Sequence, residues 1–276
     1  MSAPLTTSTL AGRLVGRGGE YRSARPWPHL VIDDVLDISL ARAAAAEARA
    51  RRDDPSLRAH REKGHVKRET ASVGPACRAA LAELESGAVT AALAELIGLT
   101  TELITDPTHR HAGLHITPSG GHSHVHWDFP RHPSTGLFHR TNVLLYLNAE
   151  RWDESWGGQL ELWEPGGVEA SAVISPAFNR AVIFETGPDT WHGLPTPLTL
   201  PDDMARVSLA SYGYSHDPGH WSGRVALRAY PLDNRIRGKD LARWAMLRAP
   251  VPGWPSRGQP PRYFCARRDT QGPHRG

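Results

Sequence analysis

From residue 112 to residue 215 the sequence is cut into short runs of Val, Leu, Ile, Tyr and Phe, each closed by Gly, Pro, Asp or Asn. Eight runs stand out: GLHITP, HSHVHWD, TNVLLYLN, GGQLELWE, ASAVIS, RAVIFET, TWHGLP and RVSLASYGYS. Each has the length and the β-branched or aromatic bias of a strand, with turn residues at both ends. Strands this short and this evenly spaced suit a jelly roll or barrel better than a parallel sheet.

Ahead of this region the texture is helical. WPHLVIDDVLD (27–37) reads as a short strand with Asp34 near its end. DISLARAAAAEARARRDD (37–54) has the Ala, Arg and Glu content of a helix. GPACRAALAELESGAVTAALAELIGL (74–99) reads as one or two more helices, with Gly87 as the break. The expected organisation is a single domain over 1–276: a helical N-terminal part (27–100), a jelly-roll core (about 112–216) and a C-terminal appendage (217–276). The appendage reads as irregular, with one helix near 238–249. The fold class is therefore mainly β with flanking helices (α+β).

Composition narrows the function classes. Hydrophobic content of 39% and charged content of 22% are ordinary for a soluble globular chain. Runs such as NVLLYLN are too short to cross a bilayer, and the first residues lack the pattern of a secretory leader. Cys77 and Cys265 are far apart and suggest no disulfide framework, so a cytoplasmic setting is expected. Net charge is only +3, and Lys63, Lys67 and Lys239 are the only lysines. The basic cluster at 48–68 is interrupted by acids and lacks interleaved aromatics. It reads as a solvated helix end or loop, and no nucleic-acid partner is expected.

One of the β runs carries an unusual series of side chains. HSHVHWDFP (122–130) sets His122, His124, His126 and Asp128 at every second position. In a strand, residues i and i+2 share a face, so all four can point one way. A row along one strand does not converge on a point. Two neighbours in it can chelate together, but a third ligand must come from elsewhere. His126 and Asp128 form such a pair, just before Pro130 turns the chain. His192, in DTWHGLPTP, is the candidate third ligand. Two imidazoles and one carboxylate leave coordination positions open, which suits Fe(II) that must bind a co-substrate and O₂. Zinc hydrolases use the same ligand types, so the set alone leaves the metal open.

Arg206, in ARVSLASYGY, separates these options. It lies on the run after His192, with Ser208 on the same face. A guanidinium beside a hydroxyl is a ready clamp for a carboxylate. A buried arginine without an anionic partner is costly, so its position implies a bound acid or an internal Asp or Glu. Metal ligands plus a carboxylate clamp describe a 2-oxoglutarate site.

Taken in order, the His-x-Asp pair, TNVLLYLN, ERWDESWGGQLELWEPGG, SPAFNRAVIFET, the distal His and the Arg resemble the catalytic core of Fe(II)/2-oxoglutarate-dependent dioxygenases, in the prolyl 4-hydroxylase-like branch. The resemblance implies a double-stranded β-helix (jelly-roll, cupin-like) core, with Fe(II), 2-oxoglutarate and O₂ as cofactor and co-substrates. It implies that His126, Asp128 and His192 are the iron ligands and that Arg206, with Ser208, binds the far carboxylate of 2-oxoglutarate. The implied reaction hydroxylates an unactivated C–H bond while 2-oxoglutarate is decarboxylated to succinate and CO₂. Related halogenases carry a small residue where Asp128 stands, which favours hydroxylation here. The interval between His192 and Arg206 is lengthened by LPTPLTLPDDMA. Many prolyl hydroxylases have a tyrosine on the strand before the His-x-Asp; GLHITP offers His115 in its place.

Asn142 and Tyr146 share a strand face and are candidates for touching the co-substrate. His124, Arg131 and Arg140 are candidates for the substrate side, the two arginines flanking a possible lid, RHPSTGLFHR. Trp127 should pack away from the metal, His109, His111 and His132 should lie in loops, and Gly157 and Gly158 should form a tight turn. The expected substrate is an amino acid, a peptidyl residue or a small natural product, with no membrane partner. Oligomeric state is not legible. Two other classes share part of the pattern: a zinc-dependent hydrolase or isomerase on a cupin-like barrel, and a catalytically silent metal-binding sensor.

Overall fold

The computed structural model describes residues 9–55, 57–60, 67–70, 72–164 and 169–221. Two short helices, α1 (Leu10–Leu14) and α2 (Gly18–Ser23), precede β1 (His29–Ile32). Helix α3 (Ile38–Ala50) begins at Asp37, whose carboxylate accepts hydrogen bonds from the Ser39 and Leu40 amides. A carboxylate there satisfies orphan N–H groups and complements the positive helix end. Its buried stripe, Ala41, Ala44, Ala45 and Ala48, is small enough for another helix to lie close.

Next come β2 (Arg58–His60) and β3 (Lys67–Thr70), an antiparallel pair. The expectation of a solvated helix end or loop over 48–68 holds for the end of α3 and the turn after it, while 58–60 and 67–68 lie instead in strands at one end of the larger sheet. Helices α4 (Pro75–Leu84) and α5 (Gly87–Leu96) follow. The Ser86 hydroxyl caps α5, so the expected break falls just before Gly87, which opens the second helix.

After β4 (Ile104–Thr105), the eight expected runs all form strands: β5 (Gly113–Thr117), β6 (Ser123–His126), β7 (Phe138–Tyr146), β8 (Leu160–Trp163), β9 (Ala172–Ile174), β10 (Ala181–Glu185), β11 (Trp191–Leu194) and β12 (Arg206–Ser215). Gly157 and Gly158 form the expected turn, at φ of 76° and 88°. The larger sheet has the order β1-β10-β7-β12-β5-β3-β2, with β4 beside β12; the smaller has β6-β11-β8-β9. Every pairing is antiparallel. This is the jelly roll read from the sequence.

Side-chain alternation divides the larger sheet between two cores. Leu114, Ile116, Val143, Leu145, Ile183, Val207 and Leu209 pack with the helices, against residues such as Ala44, Leu81 and Leu93. Tyr146, Val182 and Phe184 face the other way and pack on Leu160, Leu162 and Ile174 of the smaller sheet. Each fully buried aliphatic side chain contributes about 1.5–3 kcal/mol, so the helical layer holds the larger sheet rigid behind the barrel. The outer face of the smaller sheet is covered by Val125, Trp127, Trp163, Trp191 and Trp221. No helix among the described residues is long and apolar enough to cross a membrane. The helix expected at 238–249 lies outside the described residues.

Asn179 ties the helical layer to the barrel. Its backbone sits at φ 58°, a region that asparagine tolerates better than most side chains. Its side chain accepts from the Leu36 amide (3.0 Å) and donates to the Leu36 carbonyl (2.9 Å). We expect Asn179→Ala to cost about 2–3 kcal/mol, from two lost buried hydrogen bonds and a strained backbone. Urea unfolding measures this, and a loss below about 0.5 kcal/mol, the level of an ordinary surface change, would refute the tie.

Candidate active site

Strands β6 and β11 pair antiparallel with His126 directly opposite His192. The register brings the two imidazoles together, with ring centroids 4.7 Å apart. The strands approach closely because residue 193 is glycine: a Cβ there would lie 2.8 Å from the Val125 Cα. Each imidazole is fixed by its own backbone. The Nδ1–H of His126 donates to the His124 carbonyl (2.7 Å), and that of His192 to the Thr190 carbonyl (3.0 Å). Those bonds set the tautomer in which each Nε2 lone pair can bind a metal.

Asp128 lies two residues beyond the end of β6. Its carboxylate oxygens are 3.8 Å from the His126 Nε2 and 3.6 Å from the His192 Nε2. One ligand atom from each of the three residues lies within 4.8 Å of the others. Three donors converging on one point, with both imidazoles in the binding tautomer, fit a divalent metal. Burial alone would raise the Asp128 pKa, but the imidazoles of His192, His139 and His126 and the Asn142 amide outweigh it. The carboxyl is held below its ordinary range. From the larger sheet, the Phe184 ring covers His192 at 4.9 Å.

A second polar pocket lies further along the larger sheet. Ser208 on β12 stands between Tyr146 on β7 and His115 on β5, and Arg206 stands opposite Thr117. The Arg206 guanidinium lies 4.8 Å from the Tyr146 ring, and its Nε donates to the Gly158 carbonyl at 2.7 Å. Arg206, Tyr146 and Ser208 are all buried. Burial lowers the Arg206 pKa against the opposing influence of Tyr146, and burial raises that of Tyr146. The buried Tyr146 hydroxyl faces Arg206, which lowers its pKa against the effect of burial. No carboxylate among the described residues pairs with Arg206. A buried cation beside a phenol, with no carboxylate to neutralise it, fits an anionic oxygen group.

Other expected site residues fall in different places. Asn142, read as a co-substrate contact, instead donates from Nδ2 to the Asp128 Oδ2 at 2.6 Å. Arg140, read as part of a lid, is a buried residue of β7. Its charge is met by Glu185 (2.7 Å) and its NH1 donates to the Asp217 carbonyl, so no free cation remains there for a substrate. Arg131 is exposed, donates to the Gly136 carbonyl and lies 3.7 Å over the Phe138 ring. His122 and His124 stack on each other at 5.5 Å. His115 contacts the His111 carbonyl at 3.2 Å. Trp127 packs edge-on against Trp191, on the face away from the imidazoles.

His132 organises the loop before β7. Its Nδ1 accepts from the Ser134 and Thr135 amides, and its Nε2–H donates to Asp106. His109 lies in a turn and pairs with Glu85. His139 escaped the sequence reading. It is fully buried beside Asn142 and stacks between Phe129 and Tyr212, at 4.8 and 4.6 Å. A register shift near Gly213 and Tyr214 turns it to the inner face, and no sequence signal marks that shift.

Residues 112–214 match the model of the 2OG-Fe(II) oxygenase superfamily. Solved structures share the fold. A prolyl-4-hydroxylase from Pseudomonas putida is 23% identical with a TM-score of 0.53, covering 75% of this chain and 99% of that one. A prolyl 4-hydroxylase from Phytophthora capsici is 19% identical with a TM-score of 0.54, covering 90% and 75%. A Trichoplax adhaerens prolyl hydroxylase, in complex with a hypoxia inducible factor peptide fragment, is 16% identical with a TM-score of 0.50, covering 78% and 93%. No curated protein matches the sequence.

Removing one of three converging donors should weaken metal binding far more than it weakens folding. For His192→Ala and Asp128→Ala we expect Mn(II) affinity, read from the EPR signal of the free ion, to fall more than about 100-fold, a larger loss than that typical of outer-shell changes. Affinity within threefold of the parent in either variant would exclude that residue as a ligand.

Proposed function

We propose that this chain, whose residues 112–214 match the model of the 2OG-Fe(II) oxygenase superfamily, carries out C–H hydroxylation at a site built from His126, Asp128, His192 and Arg206. The observation that supports this reading is a metal-competent triad on the same barrel as a buried arginine that no carboxylate among the described residues neutralises. The proposed substrate is an amino acid, a peptidyl residue or a small natural product.

The roles follow from the geometry. When bound, Fe(II) activates O₂ while 2-oxoglutarate, losing CO₂ to become succinate, supplies two electrons, so that one oxygen atom enters the C–H bond and the other enters succinate. The two imidazoles are held for this by their carbonyl bonds, and Asp128 supplies the single anionic ligand. Arg206 supplies the charge that recognises the far carboxylate. Gly158 fixes the orientation of the guanidinium through Nε. Tyr146 supplies an O–H donor, and Ser208 lies next to it across the strands. Phe184, Leu160, Leu162 and Val182 make the dry wall between the sheets, which strengthens each of these electrostatic contacts.

The other classes fit less well. A zinc hydrolase gives the buried Arg206 no task. A silent sensor is expected to have lost a ligand or the arginine, and both are retained.

Anaerobic Fe(II) with 2-oxoglutarate should give the weak visible charge-transfer band of the chelated co-substrate, and a substrate screen should be read by succinate release. Loss of the charge-assisted contact, worth about 1.5–3 kcal/mol, should make Arg206→Ala need roughly 10–150 times more 2-oxoglutarate to form the band. A parent protein without the band, or a variant whose band titrates unchanged, would overturn the reading.

A further inference from the structure

Asn142 touches none of the groups that would contact 2-oxoglutarate at the Arg206 end. Its register partners are Phe184 on β10 and Tyr212 on β12. Its side chain is 2% exposed and makes one short contact, from Nδ2 to the Asp128 Oδ2 at 2.6 Å. From this we infer that Asn142 is a positioning residue, which holds one oxygen of Asp128 and so presents the other to the metal. The inference rests on the iron-site reading above.

The need for such a device follows from where Asp128 sits. His126 is the last residue of β6, and Asp128 follows it on backbone outside the sheet ladder. The two histidines are fixed by main-chain carbonyls, but a carboxylate has two equivalent oxygens and a free χ2 torsion. Here Oδ1 lies toward His126 and Oδ2 toward His192, at 3.8 and 3.6 Å. Without a further constraint either oxygen, or both together, can bind a metal. A donor on one oxygen breaks that equivalence, and a carboxylate ligand held to one coordination position leaves more positions for co-substrate and O₂.

The donor is also well anchored. Asn142 lies in the middle of β7, hydrogen-bonded on both sides to β10 and β12, so its backbone is among the most constrained in the barrel. The amide cannot turn over freely, because its NH₂ faces a carboxylate and a flip would place Oδ1 against Oδ2. The Asn142 Oδ1 is buried without a well-formed hydrogen bond, and the His139 imidazole next to it has both ring nitrogens buried in the same condition. His139 therefore adjoins both the amide and Asp128.

The test compares two isosteric strand-forming residues that differ in a hydroxyl, Asn142→Val and Asn142→Thr, in the full-length apo protein with Mn(II) as the probe. EPR of free Mn(II) gives affinity, and thermal melting of the metal-free protein reports packing separately. We expect Asn142→Val to lose about 10–100-fold in affinity, the usual cost of removing a partner of a metal ligand, and Asn142→Thr to recover part of it. Parent-like affinity in Asn142→Val, or equal losses in both variants, would reduce Asn142 to a packing residue and overturn the proposal. His192→Ala runs alongside. If the parent binds no Mn(II), or His192→Ala binds like the parent, the metal-site reading itself fails; if that control loses binding and Asn142→Val does not, only the positioning role fails.

Discussion

The active-site geometry depends on the pairing of two four-residue strands. β6 and β11 are joined so that His126 faces His192. In a β ladder a slip of one residue turns every side chain to the opposite face. Such a slip here would send an imidazole into the tryptophan layer and bring Trp127 or Trp191 inside. That outcome is blocked from both sides. Trp127 and Trp191 need the outer face, where Trp163 and Trp221 receive them. Gly193 allows only a backbone without a Cβ to sit against Val125. The meeting of His126 and His192 is thus specified by hydrophobic packing on the reverse of the sheet as much as by the imidazoles themselves.

The larger sheet does the complementary work. Its helical side buries a continuous aliphatic layer, which leaves the inner side free to carry polar groups: a cation, a phenol, an amide and a fully buried imidazole. Such groups are tolerated only when the backbone beneath them cannot relax. β7 and β12, which carry nearly all of them, are also the longest strands described and are paired to each other along most of their length.

Much of this was legible in the sequence, for a physical reason. The eight runs from 112 onward alternate because one face of each strand is buried differently from the other, and turn residues close them. Period and punctuation were therefore both visible. The His-x-Asp pair could be read because same-face spacing is a local property. His192 required only that a later strand return to the same sheet. Where the reading fell short, the deciding contact was distant. Residues 58–60 and 67–70 are strands because a sheet edge is available to them, which composition does not record. Arg140 looked like a loop cation because Glu185, its partner, lies on another strand. Asn142 was correctly placed on the inner face, but which end of the site it served depended on how far the chain bends after β6.

The two pockets divide the chemistry by their electrostatics. Around Asp128, three histidines and an amide stabilise a negative charge, while around Arg206 burial works against the positive charge already there. The first site is anionic and favours a cation; the second is cationic and favours an anion. Arg206 has no carboxylate partner among the described residues, and a buried charge left unpaired is destabilising by several kcal/mol in a low-dielectric interior. The fold tolerates both because the two stand in one barrel lined by Tyr146, Leu162, Val182 and Phe184. A small dianion that reaches the arginine with one carboxylate and a bound metal with the other end relieves both at once.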